Sequence, residues 1–370
     1  METKWGAMRK RISPGHLALS CCILVTSLWV FWGVTEMFHE GWYAPFEWLF
    51  FLLPAAISLT LTLMALTWPR LGGWLLIGAG ILFYAWVMFS VATRFGLNLR
   101  IVVSWFPAVG FLAIIGALFL LDAGRRRELD NPDRRWWRRN LRYILAVGIP
   151  LLVGLAVGAE PAIRVANRMD DADYGARLIQ ANGVSLLWAP VGQGWGRGVT
   201  WNQLALYGLP PVGFGDKSLG HEGQRHSDAG EGCATVEELQ QYNVCRYLSE
   251  DGVRLETSWQ GHWRMPTTDE VVGSLVRQGE QAGCVWNGRS GKQPCTVRPD
   301  KETPLWNPQS PIIYLWTANE ANQKEAYCVT YHGAVFTQPK YLSLGSLGYR
   351  CVQDTGSKVG SAAASSLEER

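Results

Sequence analysis

Long apolar runs, with the charges confined to the loops between them, constrain this chain more than any other feature. A helix needs about 20 apolar residues to cross the hydrocarbon layer of a membrane. No Asp, Glu, Lys, Arg or His occurs in the middle third of any qualifying run, whereas ion and proton pathways use such groups. We therefore predict a multi-pass helical anchor in the lipid bilayer rather than a transporter, spanning residues 17–159 with about five spans: 17–37, 48–68, 71–92, 101–121 and 141–159.

The distribution of basic residues predicts the orientation. Thirteen Lys and Arg residues lie in the N-terminal segment and in the loops after the second and fourth spans, against two, Arg94 and Arg100, in the opposite loops. Positive loops stay cytoplasmic, so residues 1–16 are predicted to be cytoplasmic and the part after residue 160 to lie outside. The arginine-rich stretch 125–142 could also attract anionic lipid head groups, but a topology signal is the simpler interpretation.

The cysteine pattern agrees with this orientation. Two of the eight cysteines, Cys21 and Cys22, lie in the first span, and an even number follow it. Disulfides persist in oxidising compartments, but six cysteines allow 15 pairings, which spacing cannot resolve. No pair has the short spacing of a zinc site, so we expect no metal and no cofactor. The part after residue 160 has no Asn-x-Ser/Thr sequon, which suits the inner (plasma) membrane of a bacterium. The disulfide candidates are Cys233, Cys245, Cys284, Cys295, Cys328 and Cys351.

The remainder predicts a stalk over 160–181 and a folded domain over 182–353, followed by a disordered tail over 354–370. Residues 192–232 are glycine-rich and predict an irregular loop rather than a phosphate cradle, because no βαβ pattern surrounds them. His221 and His226 are five positions apart, not the four that a zinc-protease helix needs. Capping boxes predict helices over Thr235–Leu248 and from Thr267 onward. Short strands are predicted at 312–318, 326–332 and 348–353.

Three motifs follow one another in this domain: GHWRMPTTDE from Gly261 to Glu270, YLWTA from Tyr314 to Ala318, and YRCV from Tyr349 to Val352. Their order resembles the C-terminal lectin-like domains of bacterial collagen-like adhesins. More distantly it is similar to the sulfatase-modifying, formylglycine-generating group, which shares the C-type-lectin-like fold. The resemblance implies an α+β, loop-rich, disulfide-stapled domain. Its motif residues here are Trp263, Arg264, Pro266, Thr267, Glu270, Trp316 and Arg350.

The resemblance also carries expectations about the cysteines. The lectin-like fold brings its chain ends together, which implies a bridge between Cys245 and Cys351. Cys284 and Cys295 then suit a local bridge, leaving Cys233 with Cys328. The formylglycine-generating enzymes carry closely spaced functional cysteines, whereas Cys328 and Cys351 are 23 positions apart. The acidic motifs of calcium-dependent lectins are also missing. We therefore expect neither catalysis nor calcium binding.

The expected function is recognition of a glycan, an envelope polymer or a protein outside the membrane. Tryptophans in loops can stack on sugars or anchor protein contacts, and the candidate contact residues are Trp286, Asn287, Trp306 and Asn307. The alternative is a structural subunit that assembles with a membrane partner, and a formylglycine-type enzyme is a third hypothesis. Nothing in the sequence indicates a nucleic-acid partner.

Overall fold

The computed structural model describes residues 13–40, 47–95, 99–126, 136–181, 183–209 and 233–355. The chain divides into two compact units. Within the described residues, the helical unit comprises 13–39 and 47–163, and the C-terminal unit comprises Glu40 and 164–355. Each unit has its own hydrophobic clusters.

Five α-helices occur in the described part of the helical unit. Prolines stand at the starts of α1 and α3 and in the first turn of α2, where the missing N–H costs nothing. Four of the helices have stretches long and apolar enough to cross a membrane, in α1, α2, α3 and α5, while the described apolar part of α4 is shorter, Gly110–Ala123. A fifth span therefore stays a prediction. The helices are α1 (Pro14–His39), a 3₁₀ helix (Glu47–Leu52) continuing into α2 (Leu53–Thr67), α3 (Pro69–Phe95), α4 (Leu99–Arg126) and α5 (Trp136–Ala166).

Small residues let these helices approach closely. A Cβ atom added to Gly73 of α3 would lie 2.9 Å from the carbonyl oxygen of Gly116 in α4, and one added to Gly116 would lie 2.5 Å from the carbonyl oxygen of Gly73. Such contacts are typical of helices that pack in lipid. Large apolar side chains such as Leu82 and Leu152 point outward, as expected for a surface covered by hydrocarbon.

One buried carboxylate joins two helices. Asp122, near the end of α4, accepts a hydrogen bond from the backbone N–H of Gly15 at 3.2 Å. Gly15 lies in the first turn of α1, where backbone N–H groups have no partner within the helix. The carboxylate therefore caps α1 from a different helix. Thr26 and Ser58 add a second polar link, between α1 and α2, with their hydroxyl oxygens 2.8 Å apart.

In its described residues, the C-terminal unit combines three short α-helices with eleven strands. Thr200, Thr235 and Thr267 each form a capping box at the start of a helix. The two predicted boxes are confirmed, but the first predicted helix ends at Tyr242, and a separate 3₁₀ turn follows at Val244–Tyr247. The elements are β1 (Arg177–Ala181), β2 (Val184–Trp188), β3 (Trp195–Arg197), α6 (Trp201–Ala205), α7 (Val236–Tyr242), α8 (Thr268–Gly273), β4 (Val276–Arg277), β5 (Glu280–Gln281), β6 (Gly291–Lys292), β7 (Tyr314–Glu320), β8 (Glu325–Thr330), β9 (Ala334–Pro339), β10 (Leu347–Arg350) and β11 (Val352–Asp354).

The strands form three sheets. The largest has the order β3-β10-β7-β8-β9-β6, in which only β10 and β7 are parallel. A second sheet has the order β1-β2-β11, so the last strand of the unit pairs with the second. The hairpin β4-β5 forms the third.

Three expected boundaries need correction. The predicted stalk over 160–181 is not a separate element, because α5 continues to Ala166 and β1 pairs with β2. The domain therefore starts before residue 182. The predicted tail starts too early, because Asp354 still lies in β11. Within 192–209 the expected irregular loop contains β3 and α6, while His221 and His226 lie outside the described residues.

Two disulfides staple the unit. Cys245 bonds to Cys351 across 106 positions, and Cys284 bonds to Cys295 across 11. The expected third bridge is wrong for this structure, because Cys233 and Cys328 are both free thiols. Cys328 lies in the central strand β8 and its side chain is fully buried in the core. Burial raises the pKa of this thiol to about 12.

Candidate functional site

An open groove of about 470 Å³ is the candidate binding site of the C-terminal unit. Its volume lies in the range of ligand sites, about 300–1,000 Å³. One wall comes from β1 and another from the β4-β5 hairpin. The lining residues are Leu178, Ile179, Gln180, Val276, Gly279, Glu280, Gln281 and Pro304.

The wall formed by β1 is a sheet edge with unused backbone groups. β1 pairs with β2 on one side only, and a two-residue connection closes the pair Ala181–Val184. In such a hairpin the hydrogen-bonded pairs alternate from the closing pair, so the N–H and C=O of Leu178 and Gln180 point away from β2. No described residue outside β2 forms a hydrogen bond with them. Both side chains are exposed, that of Leu178 by 54%.

The β4-β5 wall is also an edge. Gln278 and Gly279 connect these strands with φ values of +52° and +77°, as in the two-residue turns that match the twist of a hairpin. β4 is covered on its other side, where the Val276 carbonyl accepts from the Asp300 N–H at 3.0 Å. Among the described strands, β5 pairs with β4 alone. Glu280 and Gln281 of β5 are exposed, and Glu280 is the one charged residue in the groove lining.

A buried charged cluster supports the hairpin beside the groove. Asp300 is fully buried and pairs with three guanidinium groups: Arg164 Nε at 2.9 Å, Arg168 Nη2 at 2.8 Å and Arg277 Nη1 at 3.2 Å. Arg277 also pairs with Glu302 at 2.9 Å. Because Arg277 lies in β4, these bonds hold the hairpin against the residues around Pro304. Burying a carboxylate is costly unless it is paired, and here each is paired.

Of the expected contact residues, two lie at the surface away from the groove lining. Trp286 is half-buried, its ring packs edge-on against Tyr327 at 5.5 Å, and its Nε1 donates to the Arg289 carbonyl at 3.3 Å. Asn287 is exposed, and its side-chain oxygen accepts from the Arg289 N–H at 2.9 Å. The Trp286 indole is therefore partly exposed, and the residue after it has an exposed amide side chain.

The other two expected contact residues do not form such a surface. Trp306 is only 1% exposed and packs edge-on against Tyr331 inside the core. Its proposed role in contacting a ligand is therefore wrong for this structure. Asn307 is partly buried, and its side-chain oxygen accepts from the Gln309 N–H at 2.8 Å. This is a local turn contact.

The expected motif residues build the fold. Arg264 pairs with Glu270 and with Asp354, each at 2.6 Å, so it joins the start of α8 to the last strand. Trp263 and Trp316 are buried, and their Nε1 atoms donate to the carbonyls of Ser249 and Val199. The remaining motif residues also have structural roles. The Pro266 carbonyl accepts from the Ala318 N–H, Thr267 caps α8, and Arg350 is fully buried.

The sulfur atoms do not form a paired functional site among the described residues. Cys351 is bonded to Cys245, and Cys328 is buried with a raised pKa. A thiolate is the reactive form of cysteine, so neither sulfur is poised as a nucleophile. No cluster of three or more His, Cys, Asp or Glu side chains able to hold a metal occurs within the described part of the chain.

Comparison with known proteins adds no identity: no family model, no curated protein and no solved structure matches this chain. The sequence does not predict the groove, because its walls are edge strands, and the order of strands in a sheet is set by the tertiary fold. The one available signal was the Asn182-Gly183 dipeptide, a common hairpin turn. Trp259 is 58% exposed but is not among the contact residues expected from the sequence.

Proposed function

We propose that this chain is a membrane-anchored binding module whose C-terminal unit captures an extended polypeptide segment in the groove between β1 and β5. The observation that carries the proposal is that β1 and β5, which both contribute to the groove lining, are sheet edges among the described strands. An extended peptide can add itself to such an edge, with backbone hydrogen bonds supplying affinity and side-chain contacts supplying specificity.

The side chains suggest what kind of segment would bind. Leu178 offers an exposed apolar surface, and Glu280 offers a negative charge. A segment with one apolar and one basic side chain would therefore complement the groove. The flanking Arg177 is already paired with Asp171 at 2.9 Å, so it adds little attraction for an acidic ligand.

The topology supports an outward-facing module. Four helices suited to membrane crossing occur in the described residues, and α4 would supply the fifth span of the proposed topology. Five spans with a cytoplasmic N-terminus would place the C-terminal unit outside the bacterial inner membrane. Two disulfides in that unit suit an oxidising compartment. Alkaline phosphatase fused after Thr355 should be active, and activity of a cytoplasmic reporter at the same position would reject this topology.

Peptide capture tests the groove directly. The full chain in detergent is exposed to a displayed library of seven-residue peptides, and the enriched peptides are measured against variants. Gln180→Pro removes an outward N–H that β2 does not use, so binding should fall at least tenfold while the fold persists, since proline is tolerated at edges. Gln180→Thr keeps this N–H and should retain binding.

A second comparison tests the charge. Glu280→Gln should weaken peptides that carry a basic residue more than peptides that lack one. Failure to enrich any peptide, or equal capture by Gln180→Pro and Gln180→Thr, would reject the groove as a polypeptide site. Hydrogen exchange across β2 checks that each variant remains folded.

A glycan ligand is the second candidate, because the half-buried ring of Trp286 lies beside the exposed amide of Asn287. Aromatic faces bind sugars through apolar contact. A glycan array probed with the full chain should lose its signals in Trp286→Ala and keep them in Gln180→Pro. Signals unaffected by Trp286→Ala would remove this surface from consideration.

A lectin-like fold for the C-terminal unit is part of the same proposal. It is supported by the pairing of β2 with β11, which brings the two ends of the unit together, and by the Cys245–Cys351 bond. Peptide mass spectrometry without reduction should recover this bridge. The alternative role, a structural subunit, predicts a stoichiometric membrane partner after purification in mild detergent, whereas a free-standing receptor should purify alone.

A further inference from the structure

Arg350 is a fully buried cation without a carboxylate partner. Its side chain donates three hydrogen bonds, all to backbone carbonyls: Nε to Ala189 at 2.8 Å, and Nη1 to Pro304 at 2.8 Å and Leu305 at 2.6 Å. No carboxylate of a described residue pairs with it. Carbonyl dipoles solvate the guanidinium in part, but they leave its full charge uncompensated.

Two tryptophan rings lie against this guanidinium. The Arg350 Cζ atom is 3.8 Å from the ring centroid of Trp195 and 5.8 Å from that of Trp188. Both rings are buried. Ring faces attract the cation, and they also exclude bulk water from it. The positive charge therefore lies in a medium of low polarity, where any counter-charge would bind strongly.

The same region holds several hydrogen-bond donors without a protein acceptor. Arg350 Nη2, Trp188 Nε1 and Trp195 Nε1 are all buried and form no hydrogen bond with a described residue. Trp306 Nε1 is also buried without a hydrogen bond to a described residue. Trp306 comes directly after Leu305, whose carbonyl accepts from Arg350. Buried donors almost always have partners, so a group of them around one cation is unusual.

All of these atoms are donors only, since neither indole N–H nor guanidinium can accept. Water can accept from such donors, but it is neutral and leaves the guanidinium charge without a counter-charge. A monatomic anion accepts several donors, needs no acceptor and neutralises the charge. We propose that Arg350, together with the indole N–H groups of Trp188 and Trp195, binds a small inorganic anion of halide type. The Arg350 side chain is not part of the groove lining, although Pro304, whose carbonyl accepts from it, is.

The electrostatics agree with such an occupant. Burial, with a smaller contribution from Arg177, holds the pKa of Arg350 well below its usual range. A bound anion opposes that effect by favouring the charged guanidinium. The anion would therefore join β10 to β2 and β3, which carry Arg350, Trp188 and Trp195.

Bromide is a suitable probe, because it can be located by anomalous scattering. The full chain in detergent is unfolded thermally at constant ionic strength while sodium gluconate is replaced stepwise by sodium bromide. Hydrogen exchange monitors the unfolding of the C-terminal unit. Its midpoint temperature should rise with bromide concentration and then level off, because a ligand that binds only the folded state stabilises it. Crystals grown in bromide should show an anomalous peak beside Arg350 Nη2.

Variants separate binding from general stability. Trp195→Phe keeps the aromatic ring and removes its N–H, so bromide affinity should fall about tenfold. Trp316→Phe is the matched control, because the N–H of Trp316 already donates to Val199 at 3.1 Å. It should cost stability without changing the bromide dependence. Arg350→Met should abolish the dependence, and if that variant does not fold, the Trp195→Phe and Trp316→Phe pair decides.

The proposal is overturned if gluconate and bromide give the same transition temperature at every concentration. It is also overturned if the density beside Arg350 Nη2 is water without anomalous signal, or if Trp195→Phe and Trp316→Phe respond to bromide alike.

Discussion

The helical unit and the C-terminal unit are stabilised in opposite ways. The helical unit exposes large apolar side chains and brings helices together at glycines such as Gly73 and Gly116. The C-terminal unit buries most of its tryptophans, pairs buried carboxylates such as Asp300 and carries two disulfides. The contrast follows from the surroundings that we propose for each unit. In lipid, burial of apolar groups gives little driving force and close packing matters, whereas in water apolar burial dominates.

The largest effect should come from breaking the long disulfide. Cys245→Ser together with Cys351→Ser opens a loop of 106 positions, which should cost the C-terminal unit about 5 kcal/mol in the chain-entropy model. Hydrogen exchange measured by mass spectrometry should show faster exchange in β2 and β10 and unchanged exchange in α3 and α4. Equal loss of protection in both units would contradict the separation drawn here.

The next effect tests the helical unit alone. Gly73→Ala places a methyl group 2.9 Å from the Gly116 carbonyl oxygen, and this overpacking should cost about 2 kcal/mol. Gly78→Ala on the same helix is the control, because nothing lies within 4 Å of its added Cβ. Thermal unfolding in detergent should separate the two variants, and a similar melting temperature for both would show that the α3–α4 contact is not tight.

Asp122→Ala should have a smaller effect on the same unit. It removes the acceptor for the Gly15 N–H, and loss of a helix cap costs about 1 kcal/mol. Exchange should accelerate in the first turn of α1 and remain unchanged at its C-terminal end. Uniform acceleration along α1 would mean that Asp122 supports packing rather than the cap.

The smallest expected effect is a loss of stability of the C-terminal unit at acidic pH. Hydrogen bonds from Arg264 hold the pKa of Asp354 below its usual value of 3.8. The folded state therefore favours the ionised carboxylate, and this stabilisation is present above pH 3.8 and is lost as the pH falls through the lower folded pKa. Because Asp354 is largely exposed, solvent screens the effect.

The measurement is a urea midpoint for the C-terminal unit at pH 7 and pH 3 in the original chain and in Arg264→Met. The drop between the two pH values should be smaller in Arg264→Met. An identical drop would assign the acid sensitivity to other carboxylates.

Local features of the fold could be predicted from sequence, and features of tertiary origin could not. Apolar length predicted helices at all five places, and the Thr235–Glu238 and Thr267–Glu270 boxes predicted two helix starts, because a cap needs only residues three positions apart. The sequence does not predict β1, because its alternation of apolar and polar residues covers only five positions and its pairing partner β2 follows a turn. β9 was missed for a similar reason, since its residues gain their pairing from β8 and β6.

The candidate site was less predictable than the fold. Trp286 and Trp306 are both tryptophans followed by asparagine, yet one is half-buried at the surface and the other lies in the core. Local sequence does not distinguish them, because exposure depends on what packs against each ring. Arg350 was recognised as a motif residue, but its burial without a carboxylate had no signal, since arginine is ordinarily exposed.

The β1-β2-β11 sheet has a further consequence for engineering. Because the first and last strands of the C-terminal unit share one small sheet, the polypeptide enters and leaves this unit at neighbouring positions. Folds with adjacent termini tolerate circular permutation and transplantation into a surface loop of a host protein. We therefore expect that the C-terminal unit can be inserted into a surface loop of an unrelated protein and still fold.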